Sequence, residues 1–358
     1  MRALGLMSGT SMDGIDASVV ETDGEVIGAF GPVRFVPYDE HDRALIRARL
    51  GAWPDEPGLD GVEARLRAVH AAAVDGFAGV EVVGFHGQTL AHEPRGRGTH
   101  QVGRGDLLAA DCGRTVVWDF RAADVASGGE GAPLVPVFHF ACARRAGLTE
   151  PVAFLNLGGV GNVTWVDPRA AAPEAPGALV AFDTGPGNAL IDDFVQARTG
   201  DALDDGGRLA RAGQADPGVL AALEADPYLQ RPPPKSLDRQ DFHRFLDAVA
   251  HLSDADGAAT LAALTVSCAA LAARHFPEPV GRWLVSGGGR RNAAVMAGLA
   301  ARANVPVEPV EAVGLDGDML EAQAFAYLAV RVLRGLPTTV PGTTGARLPV
   351  CGGRVSAP

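Results

Sequence analysis

Cysteine clusters and zinc-binding histidine patterns are both missing from this sequence of 358 residues. Its four cysteines contain no C-x-x-C pair and are too few for a disulfide framework in a chain of this length. Its nine histidines form neither an H-x-x-x-H nor an H-E-x-x-H pattern, so nothing indicates a zinc site. We therefore expect a protein that folds without disulfides in a reducing cytoplasm.

Long apolar runs and an excess of basic residues are also absent. The sequence has no run of 18 apolar residues, and its N-terminus enters an apolar strand without the parts of a signal peptide, so we expect no membrane-spanning segment. The formal net charge of -12 argues against a broad basic face for nucleic acid. A phosphate compound would therefore be bound largely by backbone N–H groups.

The two standard nucleotide-binding loops are missing as well. The sequence contains no G-x-x-x-x-G-K-[ST] and no strand-linked G-x-G-x-x-G, which disfavours a Walker-type or dinucleotide-binding fold. It has instead four glycine-rich turns that follow apolar strands, at residues 8–14, 157–162, 183–188 and 286–289. Such turns expose consecutive N–H groups to a phosphate. Each of them alone also fits an ordinary hairpin turn.

The order of strands indicates two similar α/β domains. An apolar strand at residues 3–7 leads through a glycine-rich turn into an alternating strand at 15–21, and the same pattern starts again at residue 151. Two sheet units of this kind would give two phosphate-binding turns for one ligand. We expect a first domain at residues 1–148 and a second at 149–358.

Helical spacing of Leu, Ala and Val separates these strands. Helices are predicted within residues 40–79, 240–250 and 257–275. The final helix, near 319–333, is expected to pack back on the first domain. The tail at 336–358 is rich in Pro, Gly and Thr, so we expect it to be irregular.

Asp183 is the best candidate for a catalytic base. It ends the apolar stretch LVAFD and precedes the turn TGPGN, where a carboxylate can face a ligand held by the turn. The residues that follow have helical spacing, so Asp183 also fits the role of a turn or helix cap. Asp192 and Asp193 lie on that helix and fit structural or solvated positions better.

Four further polar residues are candidates for binding a ligand: His86, Gln88, Arg121 and Glu321. The first two follow a predicted strand, where a histidine is otherwise often a buried core residue. Arg121 ends another strand, where a guanidinium suits a carboxylate or phosphate, or pairs with Asp119 or Asp124. Glu321 is near the start of the final helix, a position that the helix dipole favours for an acid.

The segments that contain these candidates resemble one enzyme family. GLMSGTSMDGIDA (5–17) resembles the N-terminal signature of the anhydro-N-acetylmuramic acid kinases. Further matching segments follow in order along nearly the whole chain: GFHGQTLAHEP (84–94), VVWDFRAADVASGGEGAPLVPVFH (116–139), FLNLGGVGNVT (154–164), FDTGPGNALIDDF (182–194), PPPKS (232–236), LVSGGGRRN (284–292), EAQAFAYLA (321–329) and TTGAR (343–347). A single segment would be weak, but the ordered set is specific.

This resemblance implies a fold and a reaction. The fold is that of the actin, hexokinase and Hsp70 ATPases, in which two ribonuclease-H-like α/β domains, each a mixed sheet with flanking helices, hold ATP in the cleft between them. The reaction phosphorylates O6 of 1,6-anhydro-N-acetylmuramic acid while water opens its anhydro bond. The products are N-acetylmuramic acid 6-phosphate and ADP, in the recycling of cell-wall peptidoglycan. The family also implies a homodimer.

The same resemblance assigns roles to residues. Asp183 matches the carboxylate that activates the water, and His86, Gln88, Arg121 and Glu321 fall in segments that face the sugar. The expected ATP-binding residues are Gly9, Thr10, Ser11, Met12, Asp13, Gly14, Ile15, Asp16, Gly158, Gly159, Asn162, Gly288 and Gly289. An acidic Asp13 in a phosphate loop repels phosphate unless a cation bridges the two, which indicates Mg²⁺ bound with ATP nearby.

Three departures from the family pattern affect the outer pocket more than the reaction type. The family usually has Gln at Glu130 and Thr-Gly at Leu237-Asp238, and Asp205 is also atypical. Two other functions stay open. One is a kinase of the same fold with another small-molecule substrate, and the other is a non-enzymatic, actin-like ATPase.

Overall fold

The computed structural model describes residues 1–9, 11–237 and 242–358. These residues form two units: Met1–Arg145 together with Met319–Pro358, and Ala146–Asp318. The second domain expected at 149–358 therefore ends earlier than its predicted limit. The reason is that the last forty residues of the chain return to the first unit and pack on its sheet.

The strands within the described residues are β1 Arg2–Ser8, β2 Gly14–Thr22, β3 Ile27–Pro37, β4 Val82–Glu93, β5 Gly98–Val102, β6 Thr115–Trp118, β7 Val152–Leu157, β8 Val160–Val166, β9 Leu179–Pro186, β10 Arg282–Ser286, β11 Val307–Pro309 and β12 Arg354–Ser356. The α-helices are α1 Glu40–Arg47, α2 Leu59–Val74, α3 Gly105–Cys112, α4 Ala122–Ala126, α5 Pro136–Arg145, α6 Ala189–Thr199, α7 Arg208–Ala212, α8 Pro217–Glu224, α9 Pro227–Gln230, α10 Arg244–Val249, α11 Asp254–Ala272, α12 Ala293–Ala303, α13 Leu320–Leu333 and α14 Pro341–Thr344.

The sheets of the two units share one topology. In the first unit the order is β12-β6-β4-β1-β2-β3, with β5 paired to β4, and in the second it is β11-β10-β7-β8-β9. In each, three antiparallel strands come first in the chain, and two later strands then add in parallel beside the first of them. This is the ribonuclease-H-like arrangement, so the expected α/β fold class is confirmed. The turns at Gly9 and Gly158 are equivalent, because each joins the first two strands of its sheet.

Each unit has its own apolar core. In the first, residues of β1, β2 and β4 pack against α2, with Leu6, Val19 and Phe85 among those fully covered. In the second, Trp165 and Phe182 of the sheet pack among residues of α6 and α11. The alternation of apolar residues in these strands is therefore the pattern of a sheet buried by helices.

The helix Asp254–His275 is long and apolar enough to cross a membrane by length and composition, which the sequence analysis did not anticipate. However, 72% of its most apolar 18-residue window is buried inside the protein. Its α11 part contacts α6, α7, α8, α12 and β9, so its apolar residues build the core of the second unit.

Helix α13 lies directly on the sheet of the first unit, against β1, β2 and β4. Gly5 and Gly84 are paired across β1 and β4, and together they allow this approach. A Cβ atom at Gly5 would lie 1.8 Å from the carbonyl oxygen of Ala322, and one at Gly84 would lie 2.1 Å from that of Phe325. The backbone of α13 thus packs closely on the sheet because these two strand residues have no side chain. This packing fixes the position of Glu321, in the first turn of α13, relative to the sheet.

The helices predicted within residues 40–79 are present as α1 and α2, and Pro54 and Pro57 lie in the segment that separates them. One local expectation was wrong in part. The tail at 336–358 is not wholly irregular, since it contains α14 and a short strand, β12, that pairs antiparallel with β6.

Candidate functional site

The turn between β1 and β2 is held by internal hydrogen bonds. The carbonyl oxygen of Gly9 accepts from the N–H of Met12 at 3.2 Å and from Nε2 of Gln88 at 3.1 Å. Met12 has a φ of 55°, in the left-handed region that non-glycine residues rarely adopt. Ser11 donates to Oδ1 of Asp13 at 2.6 Å, and both side chains are exposed. Thr10, also expected to bind ATP, lies outside the described residues.

Gln88 stabilises the β1–β2 turn by hydrogen bonds from its side chain. Its buried side chain accepts a hydrogen bond from Ser8 through Oε1 and donates to Gly9 through Nε2. The Ser8 hydroxyl also lies 2.7 Å from that of Tyr38, whose backbone N–H donates to Asp13. Gln88 was predicted to bind substrate. In the structure, its hydrogen bonds to Ser8 and Gly9 stabilise the turn that is predicted to bind ATP.

His86 and Arg121 form a pair. Nδ1 of His86 lies 2.7 Å from the carbonyl oxygen of Gly87, so Nδ1 carries the proton and Nε2 is the acceptor. Arg121 donates to that Nε2 from Nε at 3.1 Å and from Nη2 at 2.9 Å. Burial, with the Arg121 charge beside it, lowers the pKa of His86 well below its usual value, so the ring is neutral. His86 thus orients Arg121.

The Arg121 guanidinium is not used in the ion pairs considered above. Within the described residues it pairs with neither Asp119, which binds Arg354 at 2.9 Å, nor Asp124. Arg121 also donates from Nη1 to the carbonyl oxygen of Gly131, at 2.8 Å. Burial lowers the pKa of Arg121 to about 10, and the charges of Glu321 and Asp124 oppose that shift. A charged, oriented guanidinium of this kind is suited to an anionic or carbonyl group of a ligand.

Glu321 occupies the first turn of α13, as the dipole interpretation expected. Burial raises the pKa of Glu321, and the Arg121 charge opposes this. Within the described part of the chain, its carboxylate accepts no hydrogen bond from a protein donor. A half-buried carboxylate without a donor is suited to accept from a ligand hydroxyl or amide. The first unit thus brings Glu321, Arg121 and His86 together.

Asp124 supports Arg121 and was missed as a site residue by the sequence analysis, which considered it only as an ion-pair partner. Its side chain is fully buried and accepts hydrogen bonds from the N–H of Gly131 at 2.7 Å, from the hydroxyl of Thr344 at 2.7 Å and from that of Thr339. It therefore ties the loop that holds Arg121 to the TTGAR segment. The sequence did contain a signal for this contact, because Asp124 and Thr344 both lie in segments that match the family.

We expect Asp124→Asn to lower the free energy of unfolding by about 1–3 kcal/mol, because the amide NH₂ would face groups that now donate to the carboxylate, and a charge-assisted hydrogen bond is lost. Urea unfolding monitored by circular dichroism measures this. Asp106→Asn, which breaks the exposed pair with Arg104, is the control and should cost no more than about 1 kcal/mol. Equal effects of the two substitutions would contradict the role given to Asp124.

In the second unit, the β7–β8 turn is fixed through its carbonyl groups. The carbonyl oxygen of Gly158 accepts from the N–H of Asn188 at 2.7 Å, and that of Gly159 accepts from Gly187 at 3.1 Å. In a trans peptide the N–H points opposite to the carbonyl. The N–H groups of Gly159 and Val160 therefore point away from these partners, as an anion-binding turn requires.

The SGGG turn after β10 packs against the same β7–β8 connection. A Cβ at Gly289 would lie 2.5 Å from that of Leu157, whereas one at Gly288 would meet no described atom within 4 Å. Arg290 anchors the turn by donating to the carbonyl oxygen of Gly287 at 2.9 Å and pairing with Glu311 at 2.9 Å. Gly158, Gly159, Gly288 and Gly289, all predicted to bind ATP, thus lie on two packed turns.

Asp183 lies within β9 and is not a helix cap, since Asn188 occupies the N-cap position of α6. Its Oδ2 accepts from the N–H of Leu237 at 2.9 Å, and its own N–H donates to the carbonyl oxygen of Lys235 at 3.1 Å. Asn162, predicted to bind ATP, is its neighbour on β8. The strand does not end at Asp183, as the sequence suggested, but continues to Pro186, and the second unit holds a fixed carboxylate on β9 opposite Asn162.

The departures from the family pattern have local explanations. Glu130 is buried, and its carboxylate replaces the amide that the family usually has at this position. The charge of Glu130 is balanced by an ion pair with Arg95. Asp205 lies exposed in a short 3-10 turn. The contact of Leu237 with Asp183 is made by its backbone N–H, so a leucine can make it as well as a threonine, while Asp238 lies outside the described residues.

Taken together, duplicated ribonuclease-H-like units with glycine turns after the first strand define an ATPase of the actin and sugar-kinase class. The sequence model of the anhydro-N-acetylmuramic acid kinase family matches residues 1–357. The chain belongs to that family.

Curated relatives agree along their full length. The chain is 61% identical to the anhydro-N-acetylmuramic acid kinase of Cereibacter sphaeroides, over 99% of this chain and 96% of the relative. It is 56% identical to that of Ruegeria sp. strain TM1040, over 100% and 95%. Among solved structures, component A of (R)-2-hydroxyglutaryl-CoA dehydratase from Acidaminococcus fermentans has a TM-score of 0.48 and 12% identity, over 92% of this chain and 98% of that chain, a likeness too distant to bear on activity.

Proposed function

We propose that this protein is an ATP-dependent kinase that opens 1,6-anhydro-N-acetylmuramic acid with water and phosphorylates its O6. The observation that carries the proposal is Asp183. In a chain that belongs to this family, it is a carboxylate fixed on strand β9, with one oxygen held by the N–H of Leu237. Such a group is oriented to take a proton from a bound water.

The proposed reaction is a concerted exchange of bonds. Asp183 accepts a proton from water while the water oxygen bonds to C1 of the sugar. The C1–O6 bond breaks, and O6 takes the γ-phosphoryl group as its bond to ADP breaks. The products are N-acetylmuramic acid 6-phosphate and ADP. The protein contributes mainly position and electrostatic stabilisation, because neither step involves a covalent bond to the enzyme.

The phosphates would be bound by the glycine turns. The outward N–H groups of Gly159 and Val160 and the open face at Gly288 are suited to them, because backbone N–H groups can bind phosphate without a basic side chain. Mg²⁺ fits Asp13, whose exposed carboxylate supplies hard oxygen donors on the β1–β2 turn. Bound there with ATP, Mg²⁺ would neutralise phosphate charge.

The sugar would be recognised by Arg121 and Glu321. The guanidinium suits the carboxylate of the muramic acid lactyl group, and the Glu321 carboxylate suits a hydroxyl or the acetamido N–H. We further propose that the enzyme acts in the cytoplasm, as a homodimer, in the recycling of peptidoglycan.

Replacing Glu321 with Gln should raise the KM for the sugar by about 10- to 100-fold, because a charge-assisted hydrogen bond to the ligand is lost. The KM for ATP should stay unchanged. Glu40→Gln is a matched control, since Glu40 is also an acid in the first turn of a helix but is exposed. If the two variants behave alike, Glu321 acts only on its helix.

The proposal is tested with purified protein, Mg-ATP and 1,6-anhydro-N-acetylmuramic acid, following ADP release and identifying the phosphosugar by mass spectrometry. Formation of both products in equal amounts is expected. Phosphorylation of other sugars or carboxylates but not this one would favour a different kinase of the same fold. ATP hydrolysis with filament formation in light scattering, and no phosphosugar, would favour an actin-like role.

A further inference from the structure

The sequence contains a single lysine, Lys235, among 31 basic residues, so every other cationic side chain is arginine. This lysine belongs to the PPPKS segment, to which the proposed reaction gives no role. Arginine and lysine differ in size, hydration and geometry, so a site that keeps the smaller ammonium in such a chain requires an explanation.

The lysine is buried, with 4% of its surface exposed. Its Nζ lies 4.8 Å from the ring centroid of Tyr228 and 5.6 Å from that of Phe182, and it donates to the carbonyl oxygen of Tyr228 at 3.3 Å. An ammonium between two aromatic rings is stabilised by their negative faces. The larger, planar guanidinium would need more space in this position.

The same residues that enclose this ammonium also hold Asp183. The carbonyl oxygen of Lys235 accepts the N–H of Asp183 at 3.1 Å, and the hydroxyl of Tyr228 donates to the carbonyl oxygen of Asp183 at 2.9 Å. Two residues beyond the lysine, Leu237 donates to the carboxylate. Phe182 precedes Asp183 in β9. The lysine side chain thus anchors the segment that clamps the carboxylate.

The charges of the two groups favour each other. Burial lowers the pKa of Lys235, and the Asp183 charge opposes that shift. Burial raises the pKa of Cys268 to about 12, so its thiol stays neutral at working pH. The other titratable groups that act on the ammonium or on this thiol are Arg231, His275, Glu224 and Asp226.

We propose that Lys235 is a positioning residue for Asp183: the side chain of Lys235 anchors the clamping segment, and its charge favours the ionised form of the Asp183 carboxylate. This inference rests on the proposed base role of Asp183. It gives a reason for a lysine at this position, because a compact cation fits beside the rings of Tyr228 and Phe182.

The kinetic test compares Lys235→Met with Lys235→Arg. The methionine variant should lose about 10- to 100-fold in kcat with an unchanged KM for ATP, because a loosened base is misplaced. The acid limb of its kcat–pH profile should move up by about one pH unit, since the cation that favours the carboxylate is gone. The arginine variant should recover the wild-type acid limb. A methionine variant with wild-type kcat and profile would overturn the inference.

A second measurement does not require an active or even a well-folded lysine variant. Protein labelled with [ε-¹³C]lysine gives one lysine resonance, so an NMR titration reports the pKa of Lys235 directly. Coupling between two charges is reciprocal, so Asp183→Asn should lower that pKa by about one unit. An unchanged pKa of Lys235 would overturn the electrostatic part of the proposal.

The two proposals fail in different ways. If Asp183→Asn keeps its turnover, Asp183 is not the base and the proposed function of this site fails, whatever the lysine does. If Asp183→Asn is inactive while Lys235→Met matches the wild type in kcat and pH profile, only the role of Lys235 fails.

Discussion

Asp183→Asn is expected to reduce kcat by about 1000-fold, the largest effect on activity that we predict. An asparagine has the shape of aspartate, and its Oδ1 can still accept the N–H of Leu237, so the clamp on the side chain is kept. Its amide cannot accept a proton from water. The variant should therefore lose the chemical step and keep the bound geometry.

The affinity for ATP separates this explanation from simple damage. Calorimetric titration with a non-hydrolysable ATP analogue should give the same Kd for Asp183→Asn and wild type, because the glycine turns that would bind the phosphates are unaltered. Asp167→Asn is the matched control: Asp167 follows the neighbouring strand β8 and binds Arg169, and its loss should leave kcat unchanged. Retention of more than a tenth of the wild-type turnover by Asp183→Asn would remove it from the base role.

Gly5→Ala is expected to have the largest effect on stability. The added Cβ would lie 1.8 Å from the carbonyl oxygen of Ala322 and 2.5 Å from the N atom of Ala326, which are backbone atoms of α13 and cannot rotate away. The helix must move off the sheet, so we expect the free energy of unfolding to fall by about 3 kcal/mol or more. Urea unfolding measures the loss.

The same substitution should weaken sugar binding, because Glu321 is on the first turn of the displaced helix. Gly61→Ala is the control. Gly61 is on the exposed side of α2, where a Cβ meets no described atom within 4 Å, and alanine there should stabilise the helix by about 0.5–1 kcal/mol. A Gly5→Ala protein as stable as wild type would mean that α13 tolerates the shift.

The fold class could be predicted from the sequence because it depends on local patterns that repeat. Apolar strands followed by glycine turns at residues 9 and 158 indicated two similar sheets, and the structure confirms that these turns are topologically equivalent. The final helix returns to the first unit, as the sequence analysis expected, but the limits 149–358 assigned the whole C-terminal segment to the second domain. Which unit the residues after 318 join depends on contacts between residues that are distant in sequence, here Gly5 and Gly84 with α13.

The site divides in the same way. A strand-end aspartate next to a glycine turn is a sequence signal, so Asp183 could be proposed from the residues alone, and the ordered family segments gave the reaction. Gln88 was predicted to contact substrate. Its hydrogen bonds to Ser8 and Gly9 could not be predicted, because these residues are about 80 positions away in the chain. The hydrogen bonds between His86 and Arg121 likewise could not be foreseen, because the two residues are 35 positions apart in the chain.

The sequence by itself determined the class of the protein, its family and the type of residue at each reactive position, because these follow from local patterning and from ordered motifs. Only the tertiary structure decided which polar side chains hold other side chains in place. A hydrogen bond between Asp124 and Thr344, or a clamp on Asp183 by Lys235 and Leu237, joins residues far apart in the chain. Such contacts exist only once the sheets and helices have packed.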